Sequence, residues 1–180
     1  LSSAGRTSCD YVQLWKDGPK WAEFNVGAKS VVEYGGSYCW GHTIDRDNGG
    51  RYYDGDEDIQ GGEHDTAKNL WGDKWQMPKK KDLEDLRANC NYEWKENYNG
   101  SGKNGLLCTG KGDYSGNSIF IIAAGYNDYG RILFTESTGY YWSSTPFNQD
   151  HAYRMFIGEG DPDVQNTSRA YGHSVRAILK

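Results

Sequence analysis

YYWSSTP, from Tyr140 to Pro146, and YGHSVR, from Tyr171 to Arg176, bracket a stretch of very different character. Between them, from Phe147 to Ala170, stand Phe, Asn, Gln, Asp, His, Arg, Gly, Glu, Pro, Thr and Ser with only one short alternating run. Such an interior is too polar for a core and too varied in side-chain type for a linker. It reads as a surface that displays contact groups on a fixed frame, so the first expectation is binding rather than chemistry.

The alternating run is Ala152–Ile157, where period-two geometry places Tyr153, Met155 and Ile157 inward and Arg154 and Phe156 outward. An exposed Arg beside an exposed Phe suits contact with a protein or with a sugar face. Asn148, Asp150 and His151 precede the run, and Asp161, Asp163, Gln165 and Asn166 follow it. A solvated strand face is the plain alternative.

Composition bounds what the rest of the chain can be. At 180 residues, 36% apolar, with a mean hydropathy of -0.88, it suits one domain, 1–180, with a thin core. Seven Trp and fourteen Tyr must then carry much of the packing. A net charge of -5 argues against a nucleic-acid partner, since a phosphate footprint needs clustered Lys and Arg, and the one basic run, Lys79–Lys81, reads as a solvated helix start. No apolar run is long enough to span a bilayer, so membrane insertion is not expected. The amino terminus lacks the charged and apolar regions of a signal peptide, which suits a soluble mature or excised piece.

Turn chemistry divides the chain into short elements. Tyr11–Trp15 and Trp21–Val26 are β-prone runs joined by Lys16-Asp17-Gly18-Pro19-Lys20, which predicts a hairpin. Tyr38-Cys39-Trp40-Gly41 looks buried, and Asp45–Glu63 reads as a long acidic surface loop. Asp65 can cap a short helix through Trp71, stopped by Gly72. A second helix should run from near Pro78 to about Asn89, with Leu83, Leu86 and Cys90 on its core face and Lys79–Lys81 opposing its dipole. Tyr92–Trp94 and Leu106–Thr109 flank an Asn- and Gly-rich loop and read as a second hairpin. Ser118–Ala124 is a continuous apolar run between glycines, the best candidate for a central strand buried on both faces.

The four cysteines permit three pairings, and none has the C-x-x-C spacing of a zinc or redox site. Two disulfides in an exported protein is the favoured reading. The second hairpin brings Cys90 near Cys108, which leaves Cys9 to pair with Cys39.

Asp54, Asp56 and Asp58 alternate ahead of Asp65 and partly mimic a calcium loop, but Ile59 stands where that loop needs Gly and Asp65 where it needs Glu. A solvated acidic loop with no cofactor is the stronger reading. Catalysis has little support, since His42, His64, His151 and His173 lack a nucleophile context such as G-x-S-x-G. His173 reads as structural, and Arg176 as a buried residue that pairs or caps carbonyls.

KWAEFNVGA (Lys20–Ala28), EYGGSYCWG (Glu33–Gly41), DTAKNLWGDKWQMP (Asp65–Pro78), LRANCNYEW (Leu86–Trp94), GNSIFIIAAGY (Gly116–Tyr126), YYWSST and SVR occur in that order. Together they resemble the Fibrobacter-type major paralogous domain, a bacterial family allied to C-type-lectin-like and formylglycine-generating-enzyme-like folds. The resemblance runs from about Tyr11 to Lys180. It departs at Lys79, where a capping Thr is usual, and at Gln76, where Arg is usual. It implies an α+β domain with two helices packed on small twisted antiparallel sheets and long structured loops. A formylglycine-generating activity would need redox cysteines in the carboxyl-terminal region, and all four here lie at or before Cys108.

The segment from about 140 to 176 also resembles the variable proteins of diversity-generating retroelements, which vary ligand-facing residues on this fold. That resemblance nominates Phe147, Asn148, Asp150, His151, Arg154, Phe156, Asp161, Asp163, Thr167, Ser168 and Tyr171 as variable contact positions. Gln149, Glu159 and Gln165 fit it poorly, because Asn codons ending in a pyrimidine cannot diversify to Gln or Glu. Gln165 and Asn166 remain candidate contacts by position. The expectation is a non-catalytic adhesin or receptor-binding module, extracellular, on a cell surface or a phage particle, whose partner is a surface protein or glycan. The alternatives are a carbohydrate-binding module with a fixed ligand and a structural interaction domain of a larger surface protein.

Overall fold

A computed structural model describes residues 9–180. Frequent glycine turns keep the elements short. Two strands, β1 (Tyr11–Gln13) and β2 (Lys20–Ala22), precede a long irregular stretch, after which come α1 (Thr66–Trp71), β3 (Trp75–Gln76) and α2 (Lys80–Asn89). Strands β4 (Asn91–Lys95), β5 (Gly105–Thr109), β6 (Ser118–Ile122), β7 (Tyr126–Asp128) and β8 (Arg131–Leu133) follow, then β9 (Gly139–Pro146), β10 (His151–Ile157), β11 (Asp163–Ser168) and β12 (Ile178–Leu179). The sheets order as β1-β2-β12-β3, β11-β10-β9, β4-β5-β6 and β7-β8, every strand pair within them antiparallel. The fold is α+β. None of the described helices is long and apolar enough to cross a membrane.

Local signals account for the helices and both hairpins. Asp65 caps α1 by accepting from Lys68 N at 3.0 Å, and Gly72 ends it at φ 102 with its N–H on Lys68 O. Pro78 lies just outside α2, where its carbonyl accepts from Ser144 N, and Lys79 is the N-cap. The dipole conflict at Lys79–Lys81 is relieved by acidic partners: Asp82 accepts from Lys79 N, Lys80 pairs with Glu84 and Lys81 with Asp85. Leu83, Leu86 and Cys90 face the core, as their spacing requires. In the second hairpin Tyr92 opposes Cys108 and Trp94 opposes Leu106.

Strand β6 is buried on both faces, yet it stands at the edge of its sheet, not the centre, which belongs to β5. Its exposed carbonyls are covered by side chains from the two motif blocks. Arg176 Nη2 donates to Phe120 O at 2.8 Å, and Tyr141 Oη donates to Ile122 O at 2.5 Å. An edge protected in this way looks like a central strand in sequence, because the apolar run reports burial and not pairing.

Cys39, Cys90 and Cys108 stand as buried thiols, so neither the Cys90–Cys108 nor the Cys9–Cys39 bond is present in this structure. Cys90 and Cys108 do share one core cluster, on the same side of the hairpin. Cys9 and Cys39 have different surroundings: the Cys9 thiol donates to Asp10 O, and the Cys39 thiol to Ala170 O at 3.2 Å. Burial pushes the Cys39 and Cys90 thiols up to about 11.

Asp45–Glu63 has no regular structure but is more than a surface loop. Ile59 enters the aromatic core beside Trp40 and Trp142, and its N–H donates to Ser144 O. Asp47 is buried and receives Arg51 in two side-chain bonds, which with the Arg51 and Gly49 amides holds its carboxyl well below the usual range. Arg169, fully buried, lies over Trp40 at 4.2 Å and donates to the carbonyls of Tyr53, Gly55, Asn148 and His151. One guanidinium thus ties this loop to the β9–β10 hairpin.

Candidate functional site

The two blocks that bracket the polar interior bond directly to each other. Ser174 N donates to Tyr140 O and Trp142 N to Ser174 O, both at 2.9 Å, while His173 and Tyr38 exchange a pair of backbone bonds. Trp142 Nε1 donates to Tyr38 O at 2.7 Å, and Trp40 Nε1 to Ser143 O at 2.9 Å. Arg176 meets Asn25 Oδ1 and backbone carbonyls, including that of Phe120. These bonds make the stiff frame on which β10 and β11 hang.

The interior itself folds as β10 and β11. Phe156 opposes Asp163, Arg154 opposes Gln165 and Ala152 opposes Thr167, while on the other side Tyr140 opposes Phe156 and Trp142 opposes Arg154. One sheet face therefore carries Arg154, Phe156, Asp163, Gln165 and Thr167 together with Tyr140. The opposite face carries Met155, Tyr141 and Val164 into the core beneath α2.

The expected inward set needs one correction. Met155 and Ile157 are buried, but Tyr153 is half-buried and Ala152 is fully buried in the other core cluster. The cause is a bulge: between Arg154↔Trp142 and Ala152↔Pro146, β9 spends extra residues turning its backbone toward Pro78 and Ile59. Tyr153 is left at the end of the sheet, under Lys80 Nζ at 4.1 Å and edge-on to Phe147. Arg154 and Phe156 are likewise half-buried rather than exposed, because Tyr140 packs against both.

Beside this face opens a cleft of about 160 Å³ lined by Tyr126, Phe134, Tyr140, Thr167, Tyr171 and His173. Tyr126 meets Tyr140 and Tyr171 edge-on at 5.1 and 5.3 Å, and Tyr140 stacks on His173 at 5.3 Å. Phe134 is 57% exposed on the rim and has φ 63, a left-handed conformation rare for a bulky side chain. Its carbonyl accepts from Ser137 N and Thr138 N, and Glu136, also left-handed, is held by Ala123 O and Asn104. The strained turn is thus fixed from both sides.

Two buried polar atoms here have no partner among the described residues, Arg154 Nε and His173 Nε2. His173 is 2% exposed, and its Nδ1 lies 3.0 Å from Gly172 O, a geometry that places the proton on Nδ1 and leaves Nε2 an acceptor. Burial first, and then the Arg154 charge, push the imidazole down to about 3. Burial also lowers Arg154, against the opposing pull of the Tyr140 hydroxyl and the Asp163 carboxylate, which itself accepts from Val164 N and Gln165 Nε2.

The other sequence candidates lie elsewhere. Phe147, Asn148, Asp150 and His151 form the β9–β10 turn, where Asn148 Oδ1 accepts from Asp150 N and His151 N, and Asp150 pairs with His151 at 2.8 Å. Asn148 and Asp150, with Tyr52, Asp54 and Gln149, line an open polar cleft of about 570 Å³. Asn166 and Ser168 belong to the opposite register set of β11, and Asp161 is exposed in the β10–β11 connection. Asp54, Asp56 and Asp58 do not converge: Asp58 accepts from Thr145 Oγ1 and Gln60 N, and no group of three or more metal-ligating side chains assembles among the described residues. Tyr126 and Phe134 carried no signal as site residues, since only the packing of the β7–β8 hairpin beside β9 brings them to the cleft.

No family model, no curated protein and no solved structure matches this chain.

Proposed function

We propose that this chain is a non-catalytic ligand-binding module, of the adhesin or receptor-binding kind, in a C-type-lectin-like domain borne on a bacterial surface or a phage particle. Its recognition surface is the outward face of β9, β10 and β11 with Tyr171. One observation carries the reading: half-buried rings, from Tyr126, Tyr140 and Tyr171, gather around a cleft beside Arg154 and Phe156 on a single rigidly backed face. Aromatic rings gathered around a cleft, with a half-buried guanidinium beside them, favour contact with a partner. Of the positions nominated by likeness to retroelement variable proteins, Arg154, Phe156, Asp163, Thr167 and Tyr171 share this face or line its cleft.

Binding of the labelled chain to intact bacterial cells and to a glycan array tests the proposal, with the double variant Arg154→Ala/Phe156→Ala as the comparison. Binding lost in the double variant, with folding retained by circular dichroism, is the expected outcome. Binding that the double variant leaves intact overturns the placement of the surface. The aromatic lining favours a second reading, a carbohydrate-binding module with a fixed ligand, since pyranose rings stack on Tyr and Phe faces. A near-copy of the Phe147–Ala170 coding segment, differing at adenines and lying near a reverse transcriptase, would favour diversification over that reading.

A further inference from the structure

Within this proposed surface, on which the inference rests, we infer that the cleft between Tyr126, Tyr140 and Tyr171 seats an uncharged aliphatic or aromatic side chain projected by a protein partner, with Phe134 as a contact on its rim. The rings stand in two planes. Tyr126 and Phe134 lie 6.0 Å apart and within 25° of parallel, while Tyr140 and Tyr171 are turned 71° and 77° from Tyr126. A side chain entering this corner meets ring faces and ring edges together, the mixed contact that aromatic groups prefer. The volume of about 160 Å³ is below the roughly 300–1,000 Å³ of pockets that enclose drug-sized ligands, so it suits one side chain. Phe134 adds an independent sign. It holds a left-handed φ of 63 while 57% of it stays exposed, so the fold gains little from a ring it strains to place. Backbone strain at an exposed ring points to a use outside the chain.

The surrounding chemistry selects the occupant. The lining holds no carboxylate, carboxamide or cation: it is Tyr126, Phe134, Tyr140, Thr167, Tyr171 and the buried, neutral His173. The charges beside it are matched within the chain, Asp128 by Arg131 at 3.6 Å and Arg154 by the Asp163 carboxylate, so the site offers neither an anion nor a cation an unmatched partner. A pyranose stacks on such rings too, but its several hydroxyls need donors and acceptors, and only tyrosine and threonine hydroxyls are at hand. A quaternary ammonium also suits ring faces, but Arg154 already lies over Tyr140 at 5.4 Å and repels a second cation. An uncharged apolar side chain needs only the rings. The sheet face around the cleft has the anatomy of a protein contact, with rings at the centre and Arg154, Asp163 and Gln165 beside them. Tyrosine suits that use because it supplies broad, stiff, amphipathic area at a low cost in entropy.

Nuclear magnetic resonance titration of the folded chain with N-acetylphenylalaninamide, N-acetylleucinamide, methyl glucoside and choline tests the occupant. The amides should shift the Tyr126, Phe134 and Tyr171 ring resonances, and the better of them should bind about tenfold or more tightly than the sugar or choline, the scale of burying one apolar side chain. Phe134→Asn, which tolerates the left-handed backbone but lacks the ring, should weaken amide binding several-fold. Thr167→Trp, which fills the cleft from the sheet face, should abolish it. Tighter binding of the sugar or choline overturns the inference, as does amide binding that either variant, shown to be folded by circular dichroism, leaves undiminished. Treatment of the target cells tests the class of partner: protease should abolish their binding of the chain and periodate should leave it, and the reverse overturns a protein partner. If no amide binds, or cell binding survives protease, while Arg154→Ala/Phe156→Ala still removes binding to cells, the occupant is wrong and the surface stands; if that double variant leaves cell binding intact, the surface falls too.

Discussion

Mild acid should destabilise this protein through His173, a group the sequence marked only as structural. The imidazole is 2% exposed, with Tyr140 and Trp142 at 5.3 and 4.2 Å and its Nδ1–H committed to Gly172 O. Burial and the Arg154 charge hold it at about 3, whereas the unfolded chain returns it to 6.5. Between those values the unfolded state takes up a proton that the folded state refuses. Stability from this group is therefore complete above about pH 6.5 and is lost as pH falls toward the folded value.

The loss amounts to about 1.4 kcal/mol per pH unit, so a change from about pH 7 to about pH 5 removes roughly 2 kcal/mol, a large share of the stability of a small domain. Urea unfolding across that range measures it, with His173→Gln as the reference that cancels every other titration. The variant should be less stable at neutral pH and should lose markedly less on acidification. Arg154→Gln should raise the His173 value while burial still keeps it below 6.5, which a Hε1 titration reads directly. A folded-state imidazole that titrates near 6.5, or a His173→Gln profile parallel to the unaltered one, refutes the reasoning.

Arg169→Met should cost about 3–5 kcal/mol in urea unfolding, because four carbonyls from two separate segments lose their donor, and Arg169→Lys should recover only part of it; a loss under about 1 kcal/mol would show those carbonyls to be adequately hydrated. Asp65→Ala should cost about 3 kcal/mol, beyond a simple helix cap, since the carboxylate also accepts from Gly61 N and Met77 N, and Asp65→Asn should cost less. Cys39, Cys90 and Cys108 should resist alkylation in the folded protein at mildly alkaline pH and react fully in denaturant, since burial raises all three thiols; rapid labelling of the native chain would contradict their placement.

Much of the frame was legible because its signals are local. Asp65 and Gly72 mark their helix with groups a few residues away, Leu83 and Leu86 report a 3.6-residue period, and the hairpin at Tyr92 and Leu106 follows from a turn between β-prone runs. Arg176 reads from sequence as a buried residue that pairs or caps carbonyls, and it does cap carbonyls, with Asn25 Oδ1 as a further acceptor. Errors arose where the deciding contact was distant. Ser118–Ile122 has the composition of a central strand, but Arg176 and Tyr141, far along the chain, cover its edge. Tyr153 has the parity of a core residue, but a bulge in β9 removes its cover. Arg169 gives no signal in its polar stretch, because its partners are carbonyls, which leave no trace in side-chain pattern.

The sequence by itself determined the helices and the hairpins, and it nominated candidate contact groups in the carboxyl-terminal stretch, because propensity, capping and periodicity act over a few residues. Only the tertiary structure decided which of those groups meet. Ser174 bonds across to Tyr140 and Trp142, and the β7–β8 hairpin docks beside them, so Tyr126 and Phe134 join Tyr140, Tyr171 and His173 around a cleft next to Arg154. The reason is physical: a strand pattern specifies which face a side chain takes, whereas its neighbours are set by pairing across long loops, whose closure no local signal encodes.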